Sequence, residues 1–376
     1  MKKLFLLSAI ALACGAAQAQ SSVTLFGVVD VNLQRFDAGG VGTSTMVGNG
    51  GLSTGRIGFR GVEDLGGGLK AGFWLEGSIN ADIGVGRPTN SNNQPSGGGA
   101  ATAGGEGFKF DRVSTVSLAN QLGEVRLGHD FIPTHWSSIY FDPFNANGVA
   151  RAGNLTFAGV TTAPLPTAIT GSNSISYWLP ATLGGVYGMA MVGVGENTSG
   201  TPTSHDGNFA GARVGYAAGP FDAAVAMTRT HNNPTATIGN YTHANIGGTW
   251  NAGVVKLFAL YNVVKVELAG GAVRKNTAEL GAHIPVGVGV IRMSYAVLDD
   301  RSDNALRNAD GSARDANNAR QWGLGYVHNL SKRTALYGTY ARLTNSGQAT
   351  YTVSGNRAPL PGQTSSGLEL GVRHLF

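Results

Sequence analysis

The feature that most constrains the fold is an alternation of apolar and polar residues in segments of about ten residues. In one segment Leu257, Ala259 and Tyr261 alternate with Lys256 and Asn262. A period of two residues places successive side chains on opposite faces of a β-strand. The sequence therefore predicts an all-β chain in which most strands have one apolar and one polar face.

The alternating segments are separated by linkers of two lengths. We assign about sixteen strands, at 23–36, 53–62, 69–80, 110–119, 123–130, 172–180, 186–196, 206–218, 220–231, 240–251, 253–264, 274–285, 287–299, 318–329, 333–345 and 364–376. Short turns such as Gly219-Pro220 join some of them, whereas the long polar linkers are 37–52, 81–109, 131–171, 300–317 and 346–363. Short turns that alternate with long loops are typical of an outer-membrane β-barrel.

Composition favours the same architecture. Only 13% of the residues are charged, about half of the ~25% usual in soluble domains, and 58 are glycine. This charge content argues against a disordered chain and against a nucleic-acid partner. The sequence has no apolar run of the ~18 residues that a membrane helix needs, so strands would have to cross the membrane as a closed barrel. A soluble β-sandwich or propeller, with the apolar face as its core, is the alternative.

The first residues are typical of an export signal. Lys2 and Lys3 precede the apolar stretch 4–13, and Ala17-Gln18-Ala19 matches a small-x-small cleavage site. We expect a cleaved signal peptide at 1–19 and a mature barrel at 20–376, with lipoprotein processing at Cys14 as the alternative. Because Cys14 is the chain's one cysteine, the mature chain would have no disulfide or cysteine-rich metal site.

Several stretches along the chain also carry a family likeness. They are Ser22–Asp30, Gly55–Gly61, Glu63–Ala71, Leu122–Gly128, Asn173–Tyr177 and Gly367–Phe376. With these stretches the chain resembles the Gram-negative general diffusion porin family, in particular its β-proteobacterial branch. The resemblance covers both ends and the middle of the sequence.

The resemblance implies a transmembrane antiparallel β-barrel of about 16 strands that assembles as a homotrimer in the outer membrane of a Gram-negative bacterium. Its third extracellular loop, 131–171, would fold inward and place Phe141–Phe144 near a constriction. The C-terminal Phe376 would be read by the barrel-assembly machinery. Outer-membrane lipid and lipopolysaccharide would surround the barrel.

The resemblance also implies a charged pore wall. It places Arg56 and Arg60 in a basic cluster that Arg112 joins, with Asp142 added from the inward loop. His129 stands where the family usually has arginine, and Asp130 follows it. This departure exchanges a permanent positive charge for a group that titrates near neutrality, so the family's ion selectivity is not carried over directly.

The alternation itself predicts which charges face the channel. Basic residues outnumber acidic ones in the predicted lumen set, which comprises Arg56, Arg60, Lys70, Arg112, Arg126, Arg213, Lys256, Arg292 and Arg373 against Asp30, Glu76, Glu124, Asp222, Glu279 and Glu369. We therefore expect passive diffusion of ions and small hydrophilic solutes with a modest anion preference. We expect no catalysis, cofactor or metal. The alternatives are a substrate-selective channel, a barrel-anchored adhesin or receptor, and an outer-membrane hydrolase.

Overall fold

A computed structural model describes residues 22–88, 90–95, 108–354 and 357–376. The predicted signal peptide at 1–19 lies outside the described residues. Within these ranges, no helix is long and apolar enough to cross a membrane.

Strands make up most of the described chain. They are β1 Ser22–Ala38, β2 Gly42–Asn49, β3 Arg56–Gly66, β4 Leu69–Asn80, β5 Val85–Gly86, β6 Val113–Asn120, β7 Gly123–Phe131, β8 Thr170–Trp178, β9 Val186–Gly193, β10 Phe209–Ala218, β11 Phe221–Thr230, β12 Asn240–Asn251, β13 Lys256–Leu268, β14 Gly271–Val286, β15 Gly289–Asp300, β16 Ala319–Asn329, β17 Thr334–Asn345 and β18 Thr364–Leu375. The helical elements named within the described residues are α1 Pro133–Phe141, α2 Gly153–Thr156 and the short 3₁₀ turn Arg314–Ala316.

The strands close into one antiparallel barrel. β1 pairs with β18 from Val28↔Leu375 to Ala38↔Ser365, which joins the two ends of the sheet. β2 and β3 both pair with β1 and together form one wall strand, and the two-residue β5 is an addition to β4. The barrel therefore has sixteen antiparallel strands, which confirms the predicted fold class.

The first long linker differs from its prediction. Residues 37–52 were expected to be a loop, yet β1 continues to Ala38 and β2 pairs back along it. The chain then leaves the ladder between β2 and β3, where the Leu52 and Ser53 amides donate to Asp30 Oδ2 at 2.9 and 2.7 Å. A buried carboxylate thus satisfies the backbone amides of this break.

Exposure follows the alternation. On β1, Leu25 and Leu33 are each 54% exposed, whereas Asp30, Asn32 and Gln34 are buried. The apolar side chains therefore face outward, where a membrane barrel meets lipid, and the polar ones face inward.

Segment 132–169, between β7 and β8, contacts strands far from its own. The Thr134 carbonyl accepts a hydrogen bond from Asn245 Nδ2 on β12 at 2.9 Å. Asn154 Nδ2 donates to Gln321 Oε1 on β16 at 2.9 Å, and the Val149 amide donates to Glu369 on β18. These partners are buried and belong to the polar set of their strands.

Apolar contacts hold the same segment. Phe141 is fully buried in a cluster with Leu260 of β13, and Val160 packs in a second cluster with Val264 and Val266 of that strand. β13 thus has apolar residues on both faces, because segment 132–169 covers one of them.

Candidate functional site

The arginine wall is the polar face of β3, β4, β6 and β7, with Arg112 directly before β6. On β3, Arg56 and Arg60 share this face, since they are four residues apart in a strand. Arg60 opposes Thr24 on β1 and Trp74 on β4. The extended backbone holds the two guanidinium groups ~13 Å apart along the strand if both side chains project straight out.

Arg56 and Arg112 share one carboxylate. Glu76 Oε1 lies 3.5 Å from Arg56 Nε and 2.5 Å from Arg112 Nε, and Glu76 is only 3% exposed. The Arg112 guanidinium also lies over the Phe131 ring, 5.0 Å from its centroid. Two cations on one anion leave this group with a net positive charge, and the structure brings the predicted Arg56 and Arg112 together.

Arg60 is an exposed cation of the wall, as is Lys70 of β4. Within the described residues no carboxylate lies within 4.0 Å of it, and its guanidinium sits over the Phe26 ring at 5.3 Å. A cation held on an aromatic face keeps its charge available to solutes. Arg60 is near Arg56 in sequence but stands apart from the Glu76 group.

The predicted Asp130 belongs to a different group. Arg126 Nε lies 2.9 Å from Glu124 Oε1, and its Nη1 lies 3.3 Å from Asp130 Oδ2. The Arg126 guanidinium stacks over the Trp178 ring at 4.3 Å. Two carboxylates surround this one cation, so the group has a net negative formal charge, opposite in sign to the Glu76 group.

His129 lies where the pairing of β7 with β8 shifts register, between Gly128 and Asp130. Its cross-strand neighbour is Ser114, whereas Arg126 opposes Ser117. Its Nδ1 is 2.8 Å from Ser172 Oγ and its Nε2 is 2.9 Å from the Asp111 carbonyl oxygen. Both ring nitrogens are therefore engaged by neighbours in the wall.

Asp142 organises the turn after α1. Its carboxylate accepts hydrogen bonds from the backbone amides of Phe144, Ala146 and Ala152 at 2.7, 3.1 and 2.9 Å. Burial raises the pKa of Asp142 to about 6, while these three bonds oppose the shift. The Asp142 carboxylate thus holds the backbone of segment 132–169 at this turn.

Sequence reasoning missed two cations. Arg151 Nε donates to Asn154 Oδ1 at 3.2 Å and Arg87 Nε donates to Asn80 Oδ1 at 3.0 Å. The two arginines repel each other electrostatically, and burial lowers the pKa of both. They lie in long linkers without periodicity, so the sequence offered no signal for the direction in which their side chains point.

Two arginines of the predicted lumen set also lack a hydrogen-bond partner at Nε among the described residues. The Nε atoms of Arg292 and Arg373 are buried and have no hydrogen-bond partner within the described residues. Arg373 acts electrostatically on both Arg292 and Arg56. Arginines of the predicted lumen set are therefore present on β15 and β18 as well as on the arginine wall.

Phe376 lies at the seam where the barrel closes. Its amide donates to the Gly27 carbonyl at 3.1 Å, and the Gly27 amide donates back to the Phe376 carbonyl at 3.0 Å. A Cβ atom on Gly27 would lie 2.2 Å from the Phe376 ring, so glycine is required for this approach. Among the described residues, no cluster of three or more His, Cys, Asp or Glu could hold a metal ion.

Comparisons with known proteins agree with this architecture. A family model described as Gram-negative porin matches residues 7–348. The chain is 36% identical to outer membrane porin protein 32 of Delftia acidovorans, over the full length of both. It is 26% identical to an outer membrane porin of Bordetella pertussis, again over both full lengths.

Solved structures show the same fold. The anion-selective porin from Comamonas acidovorans superposes with a TM-score of 0.78 at 36% identity, covering 95% of this chain and 100% of that one. The trimer form of OmpT from Vibrio cholerae superposes with a TM-score of 0.63 at 12% identity, covering 95% and 99%. The chain therefore belongs to the Gram-negative porin family and is an outer-membrane β-barrel channel.

Proposed function

We propose that this porin is an anion-preferring diffusion channel for ions and small hydrophilic solutes. The observation that carries the proposal is the charge of the arginine wall. Arg56 and Arg112 share Glu76, and Arg60 has no carboxylate partner within the described residues. Fixed charges along a pore set the local concentration of permeating ions, so an excess of guanidinium groups favours anions.

Segment 132–169 lies inside the barrel in this proposal and narrows the channel. Its bonds to Asn245, Gln321 and Glu369 support that position, since all three side chains are on the polar faces of their strands. Arg151, which the segment carries, adds a cation that interacts electrostatically with Arg87. The name of the anion-selective relative from Comamonas supports the same selectivity.

Assembly follows the family in this proposal. The chain forms a homotrimer, as one OmpT structure does by its title, and Phe376 is the signal for the assembly machinery. Lipid and lipopolysaccharide surround the trimer, and the channel works without a cofactor or a catalytic step. Deletion of Phe376 should lower the yield of trimer in the outer membrane, and an unchanged yield would remove its assembly role.

The charge of the wall is tested by reversal potential across a potassium chloride gradient. Wild-type porin in planar bilayers should give an anion-selective potential, and Arg56→Glu with Arg60→Glu should move it toward cations. The matched control is Arg301→Glu, because Arg301 is an exposed arginine outside the strands with its own partner, Asp299. Cation selectivity of the wild type would contradict the proposal.

A further inference from the structure

A recess of about 250 Å³ opens in the arginine wall, and its Trp74 side chain is hydrogen-bonded to Glu76. It lies between β1, β3, β4, β6 and β7, near the end of the barrel where short turns join these strands. Its polar lining comes from Ser22, Thr24, Arg60, Trp74, Thr115, Ser117, Glu124 and Arg126. Its volume is below the ~300–1,000 Å³ of sites for drug-sized ligands, so a molecule with a single ring suits it.

Strand register explains why the wall is hollow here. One cross-strand row contains Arg60, Trp74 and Thr115. In the next row, Gly72 stands between Val62 and Ser117 and has no side chain. A large side chain beside a glycine leaves a depression in a pleated wall, because the side chains of one face stand roughly side by side.

The edge of the recess that Trp74 forms is held in a fixed orientation. Trp74 Nε1 donates to Glu76 Oε2 at 3.1 Å, and the Trp74 ring meets Phe26 edge to face at 6.2 Å. Phe26 also carries the Arg60 guanidinium on its face. One phenyl ring thus sets the positions of both a cation and an indole ring.

The recess offers unused hydrogen-bonding groups. The hydroxyls of Thr24, Thr115 and Ser117 make no hydrogen bond to another described residue. Arg60 likewise has no carboxylate partner there, whereas Arg126 is already neutralised by Glu124 and Asp130. With the hydroxyl of Ser22, the lining therefore presents one available cation, four hydroxyls and one indole ring.

We propose that this recess is a binding site for small aromatic carboxylates, which dwell there during passage through the channel. The carboxylate would bind Arg60 and the neighbouring hydroxyls by charge-assisted hydrogen bonds. The ring would lie against Trp74, where aromatic pairs gain more than their buried area alone provides. The site deepens the proposed function, because it requires an open anion-conducting lumen.

The test is block of single-channel current by benzoate, with acetate as the probe that lacks a ring. Benzoate should lower the mean current of wild-type porin at concentrations where acetate has little effect. Arg60→Gln and Trp74→Leu should each weaken the apparent affinity for benzoate about fivefold or more. Gly72→Val should do the same by filling the recess, since its Cβ would meet Ser117 Oγ, an atom that can rotate away.

Lys256→Gln is the matched control. Lys256 also lies on the inward face near the short-turn end, with its Nζ 5.0 Å from the Phe258 ring centroid, but on another part of the wall. The Lys256→Gln variant removes one positive charge from the lumen, as Arg60→Gln does, and should leave benzoate block unchanged.

Two results would overturn the site: equal block by benzoate and acetate, or equal loss in Lys256→Gln and Arg60→Gln. Neither result touches the proposed function, because the chloride reversal potential without benzoate tests that separately. Each variant's trimer yield and open conductance show whether it has folded.

Discussion

The two sides of the lumen use their polar side chains differently. On the arginine wall, guanidinium groups rest on aromatic rings and face open space, as Arg60 does over Phe26. On the wall formed by β10 to β18, polar groups such as Asn245 and Gln321 are buried against segment 132–169. One side presents charge to solutes, and the other holds the segment that we propose narrows the channel.

Because of this difference, we expect the arginine wall to govern ion selectivity and the wall of β10 to β18 to govern pore size. Buried polar groups need partners, and an unsatisfied one costs ~1–3 kcal/mol. Changes on β10 to β18 should therefore affect the position of segment 132–169 and hence conductance. Changes on the arginine wall should mainly affect which ion passes.

Removing the two cations around Glu76 should have the largest effect. Arg56→Gln with Arg112→Gln converts a group of net charge +1 into an unpaired carboxylate. We expect the chloride preference to fall about tenfold in permeability ratio or to reverse. Reversal potentials measure this, and the charge-preserving Arg56→Lys variant should remain close to wild type. A fully anion-selective double variant would show that another group sets selectivity.

Loosening segment 132–169 should change conductance. Asn154 Nδ2 donates to Gln321 Oε1 and to the Val149 carbonyl at 2.9 and 2.7 Å in a buried site. Asn154→Ala should lower the free energy of unfolding by ~1–3 kcal/mol and increase current noise. Single-channel recording and thermal melting of the purified porin measure both. Asn329→Ala, which removes an exposed amide that donates to the Val288 carbonyl, should change neither.

Acidification should strengthen the anion preference. The pKa of Asp142 is raised to about 6, so this carboxyl loses its negative charge as the pH falls through that value. A raised folded-state pKa also means that its contribution to stability is present below its ordinary pKa and is lost as the pH rises through about 6. The positive charge of Arg292 opposes this rise in the pKa of Asp142.

Reversal potentials measured near neutral pH and about two pH units lower should therefore differ by less than twofold in permeability ratio, in the anion direction. Asp142→Asn should abolish the part of this change that Asp142 causes. An identical pH response in wild type and Asp142→Asn would show that another carboxyl is responsible.

The smallest effect is expected at His129. Both nitrogens of its ring are engaged, by Ser172 and by the Asp111 carbonyl oxygen, at the register shift of β7. His129→Gln should leave the reversal potential unchanged, although a neutral residue replaces a titratable one. A clear shift toward cations would support the sequence-based expectation that His129 lines the pore.

The fold could be predicted closely from the sequence, because closure of a barrel in lipid leaves few alternatives. The strand predicted at 240–251 is β12, Asn240–Asn251, and the one predicted at 69–80 is β4, Leu69–Asn80. The error was at 37–52, where a hairpin extends beyond the expected wall. Its alternation was too weak to distinguish a strand from a polar loop.

The site could be predicted only in part. Alternation placed Arg56 and Arg60 on one face, yet it could not show that Glu76 binds Arg56 and Arg112 while Arg60 has no such partner. Arg87 and Arg151 were missed because long linkers have no period from which a facing can be read. His129 was assigned from the resemblance, whereas the register pairs it with Ser114.

The sequence by itself therefore determined the barrel, its strand number and the polarity of its two faces, since these follow from local periodicity and from hydrogen-bond closure in lipid. The tertiary structure decided which charges are paired, where segment 132–169 binds and where the wall is hollow. Those features depend on side chains from strands distant in the chain, as when Gly72 stands between Val62 and Ser117. Cross-strand register sets such contacts, and it exists only after the barrel has closed.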